Sequence, residues 1–349
     1  MEQLIRRYNC AIEMQRFKSS IFVGLLAALA GCAPGAPPRT AAERQAVAGA
    51  VLPTFSVPAP DASGLVFVAY GDMRFTDPAS SMLSQPIARR ALIAKIASER
   101  PAAILINGDI PLRAVSEDYH VYHEETGLWR ERGLRVFPAL GNHEFAGCVE
   151  AACLQLWWDE FPALRGRRWY SVAIGGEVLC IALDSDAPLL PASEQRTWLE
   201  AQLAGRDPRV KFVLIIMHHP PVSDVQTVKH VDHNPRANEL SLAQYLRGAA
   251  RPPGPRFLVI AGHIHNYERI EGDGVLYLVS GGGGAAPYEV DRTQSDLYRE
   301  SGSRPNYHYI RLELRNGRLS GEMIRLSDYA AAEPHEWDIM DRFELNPPP

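Results

Sequence analysis

From residue 64 onward the chain repeats one pattern: a short, unbroken apolar run that stops at once on Gly or on a cluster of Asp, Asn and His. Residues 65–70 (LVFVAY) lead into Gly71-Asp72, and residues 103–106 (AILI) into Asn107-Gly108-Asp109. Residues 136–140 (VFPAL) lead into Gly141-Asn142-His143-Glu144, and residues 212–217 (FVLIIM) into His218-His219-Pro220-Pro221. Residues 257–261 (FLVIA) lead into Gly262-His263-Ile264-His265. Continuous apolar runs without alternation predict strands buried on both faces. Between them Pro86 to Glu99, Ser193 to Leu203 and Asn238 to Leu246 read as helices, the last two capped by Ser193 and Asn238. Strands alternating with helices predict a layered α/β domain, expected over residues 64–346. In such sheets ligands gather at the carboxyl ends of strands, which is where all five polar clusters fall.

The region before this domain has a different character. Arg16 and Lys18 precede the apolar run of residues 21–30 (IFVGLLAALA), followed by Gly31-Cys32. That run is too short for a membrane-spanning helix but suits the core of a signal peptide, expected over residues 1–31. Its ending, Leu29-Ala30-Gly31-Cys32, resembles the lipobox of bacterial lipoproteins, which implies lipidation of Cys32 and an anchor in the cell envelope. An ordinary signal peptide ending near a cysteine is the alternative, and Met14 opens a segment of more usual signal length. Residues 32–63 carry Pro34, Pro37, Pro38, Pro53, Pro58 and Pro60 and are expected to be an extended tether.

Composition narrows the function only a little. Of 349 residues, 46% are hydrophobic and the formal net charge is -5, with no run of five like charges. A protein bound to long nucleic acid through phosphates shows a basic face, so no nucleic-acid partner is expected. Cys148 and Cys153 are close enough in sequence for a disulfide in an oxidising envelope, and Cys180 reads as a small core residue.

Singly, a Gly-Asp after a strand is a turn and a lone His is a surface or core residue. Five strand ends that all finish in metal-capable groups are different. Carboxylates, a carboxamide and imidazoles without thiolate suit Zn, Mn or Fe. Two such ions about 4 Å apart clamp a phosphate and generate a hydroxide nucleophile near neutral pH.

The order of blocks Gly71-Asp72, Gly108-Asp109, Gly141-Asn142-His143-Glu144, His218-His219-Pro220 and Gly262-His263-Ile264-His265 resembles the calcineurin-like metallophosphoesterase superfamily. The continuation Asn266-Tyr267-Glu268-Arg269 is similar to the purple acid phosphatase branch. The resemblance implies a four-layer αββα sandwich of two mixed β-sheets flanked by helices. It also implies that Asp109 bridges two metals, that Asn142, His218 and His263 complete one site, and that Asp72 and His265 belong to the other. His143 then faces the leaving-group oxygen as acid or oxyanion donor. The family motif His-x-Pro makes His218 the ligand and His219 a neighbour or substrate contact, the reverse assignment being the alternative.

Two positions depart from the pattern. Arg74 stands where the family usually has a metal-binding His, and Leu112 where the purple branch has its Tyr. A guanidinium cannot ligate a cation but can clamp phosphate in bidentate fashion, so Arg74 is a candidate catalytic and substrate-binding residue. The Asp72/His265 site is then filled but weak, or empty with Arg74 supplying part of its charge, or Arg74 makes only a structural salt bridge. No tyrosinate–iron colour is expected.

Other residues carry less. The run Gly281 to Gly284 can cradle phosphate or turn tightly beside the site; the second reading is preferred because a P-loop Lys is missing. His230 and His233 can reach the pocket from a loop, and Asp184 can support the site from behind. His120, His123, His308 and His335 have no motif around them, while Trp157 and Trp158 read as core or pocket wall. The reading is an exported, lipid-anchored hydrolase of small phosphate esters, monoesters before diesters. Its alternatives are a phosphodiesterase acting on nucleotides or lipid head groups, and a non-catalytic metal- or partner-binding lipoprotein.

Overall fold

The computed structural model describes residues 51–59, 64–80, 82–224, 233–290, 292–300, 306–331 and 333–348. The expected signal segment of residues 1–31, Cys32 and His230 lie outside them. Two mixed sheets form the framework. One contains seven strands in the order β1 (Phe55–Val57), β5 (Tyr170–Ile174), β6 (Val178–Ala182), β7 (Phe212–Met217), β8 (Arg256–Ala261), β10 (Val275–Ser280) and β9 (Tyr267–Gly272). The other contains six, β13 (Trp337–Leu345), β12 (Arg318–Leu326), β11 (His308–Arg315), β2 (Leu65–Tyr70), β3 (Ile104–Ile106) and β4 (Val136–Pro138). Strands β2, β3 and β4 run parallel to one another, as do β6, β7, β8 and β10.

The unbroken apolar runs divide by parity into the two faces of each strand. In β2, Phe67 and Ala69 enter the layer between the sheets, while Val68 and Tyr70 face outward. In β7, Phe212, Leu214 and Ile216 face the inter-sheet layer, and Val213, Ile215 and Met217 the other side. Each outer face is covered by helices. Helix α1 (Pro86–Glu99) lays Ala88, Leu92 and Ile96 over the six-stranded sheet, beside α2 (Ser116–Glu125) and α3 (Gly127–Glu131). On the seven-stranded sheet, α5 (Glu194–Ala204) places Leu199 and Leu203, and α6 (Ala237–Ala249) places Leu242 and Leu246. Helix α4 (Glu150–Glu160) contributes Leu154 and Trp157 to the inter-sheet core. Each such buried side chain is worth about 1.5–3 kcal/mol relative to exposure. This is the expected four-layer αββα sandwich.

Two details differ from expectation. Residues 55–57, placed by their prolines in a tether, form an edge strand parallel to β5, with Phe55 against Phe137 and Tyr170. Pro53 and Pro58 flank that strand instead of interrupting it, a place sheets tolerate proline. Helix α6 starts at Ala237, not at a cap on Asn238. Glu239 receives the Arg236 backbone N–H at 2.8 Å, while Asn238 accepts from Leu189 N at 3.0 Å and donates to Ala187 O. The cysteines follow expectation: Cys148 and Cys153 are joined, and Cys180 is buried and free.

Candidate metal centre

The chemistry-bearing residues sit where parallel strands end. Asp72 follows β2, Asp109 follows β3, Asn142 and His143 follow β4, His218 follows β7, and His263 and His265 follow β8. The first two loops are laced together, Asp72 N donating to Gly108 O and Met73 N to Asp109 O, both at 3.0 Å. Asp72, Asp109 and His263 take left-handed backbone, with φ of 61°, 55° and 72°. Left-handed backbone disfavours residues with a Cβ, and such conformations persist where surrounding structure over-determines them. Here they turn each side chain off its strand into one space. Gly108 is needed beside them, because a Cβ there would meet the His218 ring at 2.7 Å.

Two groups of three donors result. Asp72, Asp109 and His265 each offer one ligand atom, all within 4.8 Å of one another, and so do His218, His219 and His263. Tautomers decide what these atoms present. His218 donates Nδ1–H to Asn107 O (3.2 Å), and burial holds its pKa below the ordinary value. Its Nε2 therefore presents a lone pair to Asp109 Oδ1 at 3.2 Å and Asn142 Oδ1 at 2.9 Å. Asp109, Asn142 and His218 thus turn lone pairs into one space, where His263 Nδ1 also lies 3.2 Å from His218 Nε2, a crowding of donors that a cation would satisfy. His265 behaves likewise: Nδ1–H goes to Ala286 O (2.6 Å), and buried Nε2 has no hydrogen-bond partner, 3.6 Å from Asp72 Oδ1. The donor set and these lone pairs fit Zn, Mn or Fe.

The carboxylates are unequal. Burial, and next the charge of Asp109, raise Asp72 well above the usual range. Burial also pushes Asp109 upward, but His218, His143 and Arg74 overcome it and hold Asp109 well below its ordinary value. Arg74 donates Nη2–H to Asp109 Oδ2 at 3.2 Å, so the guanidinium that replaces the expected imidazole lies on the carboxylate between the two groups. His143 is tethered from both sides. Its backbone N–H meets Asp109 Oδ1 at 3.0 Å, and Nδ1–H meets Leu112 O at 2.5 Å. Its Nε2 lies 3.9 Å from Asp109 Oδ2, and burial with Arg74 pushes it down to about 4.

The structure thus brings together Asp72, Arg74, Asp109, Asn142, His143, His218, His219, His263 and His265. His233 joins them, its Nδ1 being 2.9 Å from His263 Nε2. His120 and His123 are exposed on α2, and Trp157 is core. Asp184 stands behind the site, its carboxylate taken by Arg168 and by the N–H groups of Asp186 and Ala187. The glycine run lies against neighbouring backbone beside the site, Gly281 N donating to Asn266 O and Gly283 N to Gly71 O, and a Cβ at Gly281 or Gly283 would meet Ile264 O or Gly71 O at 2.2 and 2.3 Å.

Three participants had no assigned role in the sequence. Glu144, pushed up to about 8 by burial and Asp109, accepts the N–H groups of Gly141 (2.7 Å), Ile110 (2.8 Å) and Asp109 (3.1 Å). It ties the loops after β3 and β4 together. Tyr288 stacks on the His265 ring at 4.1 Å, turns its hydroxyl toward Arg74, and is positioned by Tyr288 N donating to His265 O. Ser185 bonds His219. Only Glu144 left a trace in the sequence, as the last member of Gly-Asn-His-Glu.

The family described as calcineurin-like phosphoesterase matches residues 67–267. No curated protein sequence matches the chain significantly. Among solved structures, the purple acid phosphatase PPD1 from yellow lupin (Lupinus luteus) seeds superposes with a TM-score of 0.66 at 17% identity, over 83% of this chain and 55% of that one. This chain therefore spans about half the length of the lupin protein. A dimetal phosphatase from Danio rerio gives 0.54 at 15% identity, over 79% and 99%. GAP50, the anchor in the inner membrane complex of Plasmodium, gives 0.57 at 15% identity, over 81% and 89%.

Proposed function

The chain belongs to the calcineurin-like phosphoesterase family, and on that premise we propose that it hydrolyses small phosphomonoesters at a bacterial cell envelope, anchored through Cys32. Metal-dependent phosphoester hydrolysis is the family's chemistry. The observation that supports it for these residues is the convergence of lone pairs from His218, Asp109 and Asn142 beside the Asp72–Asp109–His265 group. Asp109 lies against both groups and is assigned as the shared ligand; Asn142, His218 and His263 are assigned to one ion, and Asp72 and His265 to the other. Ions held there supply Lewis-acid charge to the phosphoryl group and acidify a water.

The remaining steps belong to the chain's own side chains. Arg74 has further N–H groups beyond those on Asp109 and orients a phosphoryl oxygen by charge-assisted hydrogen bonds. That extra cation suits the dianion of a monoester, as does the Asn266-Tyr267-Glu268-Arg269 motif. His143, its Nδ1–H held by Leu112 O, turns Nε2 toward the centre and is assigned to the departing oxygen, acting as acid only in the share of molecules whose Nε2 has taken a proton from solvent. Burial and Arg74 push His143 down to about 4, so its acid form is favoured as pH falls, and turnover that depends on it should rise toward acid pH.

The test uses the purified protein supplied with Mn, Zn or Fe. Turnover of p-nitrophenyl phosphate well above that of bis-p-nitrophenyl phosphate, lost with chelator and in His143→Ala, supports the proposal. The opposite preference favours a phosphodiesterase, and bound metal without turnover favours a binding protein. For the anchor, radioactive palmitate should label the wild type in cells and leave Cys32→Ala unlabelled.

A further inference from the structure

His219 stands at the edge of the centre with a ring nitrogen within reach of His218 and His263, so position alone would admit it as a ligand. Its partner on the other side decides otherwise. Ser185, fully buried just past the end of β6, has its Oγ 2.8 Å from His219 Nδ1 and accepts the His219 backbone N–H at 3.1 Å. The serine itself is immobilised. Arg236 donates to its carbonyl at 2.8 Å and to Asp186 Oδ1 at 3.0 Å, and Asp184 Oδ1 receives the Asp186 N–H that follows.

A hydroxyl has one hydrogen, and among the described residues the one acceptor offered to that of Ser185 is His219 Nδ1. Were Nδ1 the donor instead, Oγ would accept twice and its own hydrogen would be stranded in the interior, which buried polar groups avoid. Ser185 Oγ–H therefore donates to Nδ1, and the proton of the neutral ring sits on Nε2. With the Nδ1 lone pair engaged and Nε2 protonated, neither nitrogen has a lone pair for a metal. We infer that Ser185 is a positioning residue that keeps His219 out of the ligand set and presents its Nε2–H as a hydrogen-bond donor to a phosphoryl oxygen of the substrate. The inference rests on the proposed phosphoester reading for the identity of the acceptor, though not for the tautomer.

Two measurements on the Zn-loaded protein decide it. In protein labelled with 15N-histidine, the resonance lost in His219→Gln should show a protonated Nε2 and an unprotonated Nδ1. Inorganic phosphate, titrated calorimetrically, should bind roughly 10-fold or more weakly to His219→Ala, the loss of a hydrogen bond to a charged group. Metal content should not change, and His219→Gln, which restores an N–H, should recover much of the affinity. Ser185→Ala should lose the tautomer preference and weaken phosphate binding several-fold with the metal retained. A protonated Nδ1, loss of metal from His219→Ala, or a Ser185→Ala protein with wild-type tautomer and phosphate affinity would each overturn the inference. Absence of turnover by the wild type defeats the proposed activity instead, while the tautomer is still read on the same sample.

Discussion

Arg74→Ala tests whether the electrostatic role of Arg74 and its contribution to folding are the same interaction. The guanidinium sits 3.2 Å from Asp109 Oδ2, with side-chain exposures of 14% and 0%. At that distance, with an effective dielectric of about 20, the attraction is about 5 kcal/mol. Removing one partner of a buried pair typically costs about 3–5 kcal/mol, because the other charge stays buried alone. Loss of Arg74 also removes a cation that offsets the repulsion between Asp109 and Asp72, so Asp72 is raised further still. In chelator, Arg74→Ala should therefore melt roughly 6–10 °C below the wild type, at about 2 °C per kcal/mol for a domain of this size.

Metal narrows the difference in stability. A bound ion supplies the charge that Arg74 supplied, and removing the competing guanidinium raises affinity at the Asp72–Asp109–His265 group. The rise in Tm on adding Mn should thus be larger for Arg74→Ala than for the wild type. With metal present the folding defect shrinks and the substrate effect remains, a rise in KM of about 10-fold or more. Differential scanning fluorimetry with chelator and with Mn, beside KM measured in Mn, reads all three. An Arg74→Ala protein as stable as wild type in chelator, or equal metal increments in the two proteins, would refute this reasoning. The first would mean that Asp109 is compensated elsewhere, the second that Arg74 and the ion do not share a charge.

Glu144→Gln keeps the shape but sets an amide N–H against a backbone N–H, costing about 1–3 kcal/mol; an unchanged urea midpoint would show that the three contacts to Gly141, Asp109 and Ile110 are not needed. His308 is buried, donates Nδ1–H to Asn306 O, lies with Nε2 3.0 Å from Ser280 Oγ, and is pushed down to about 4 by burial. Below its unfolded pKa of about 6.5 the unfolded chain binds the extra proton, so this group's stability is present above that value and is lost as pH falls, about 2 kcal/mol by pH 5. Urea unfolding at pH 7 and pH 5 should show a loss about 2 kcal/mol smaller in His308→Gln than in the wild type, the buried histidines of the metal centre contributing equally to both. Reducing Cys148–Cys153, which are 5 positions apart, should cost about 2 kcal/mol through the unfolded state; melting with and without a phosphine reductant checks it.

What could be read from the sequence divides along a physical line. Strands buried on both faces announce themselves by apolar runs, and the residues after them inherit a place at the sheet's carboxyl end. Asp72, Asp109, Asn142, His218, His263 and His265 were legible for that reason. The three-residue strand β1 was not, because three residues carry no period and its prolines pointed the other way. Tyr288 and Ser185 were illegible for a different reason. Tyr288 reaches the centre through a backbone hydrogen bond to His265, and Ser185 reaches His219 across the junction of β6 and β7. Neither contact repeats at a spacing that a helix or strand would impose. Arg74 lies between these cases. Its type announced a departure, but whether its charge served substrate, fold or both depended on which carboxylate it met. The structure puts it on Asp109, the carboxylate assigned to both ions, so its structural and electrostatic roles are one interaction, and a substitution there must disturb folding and metal affinity together.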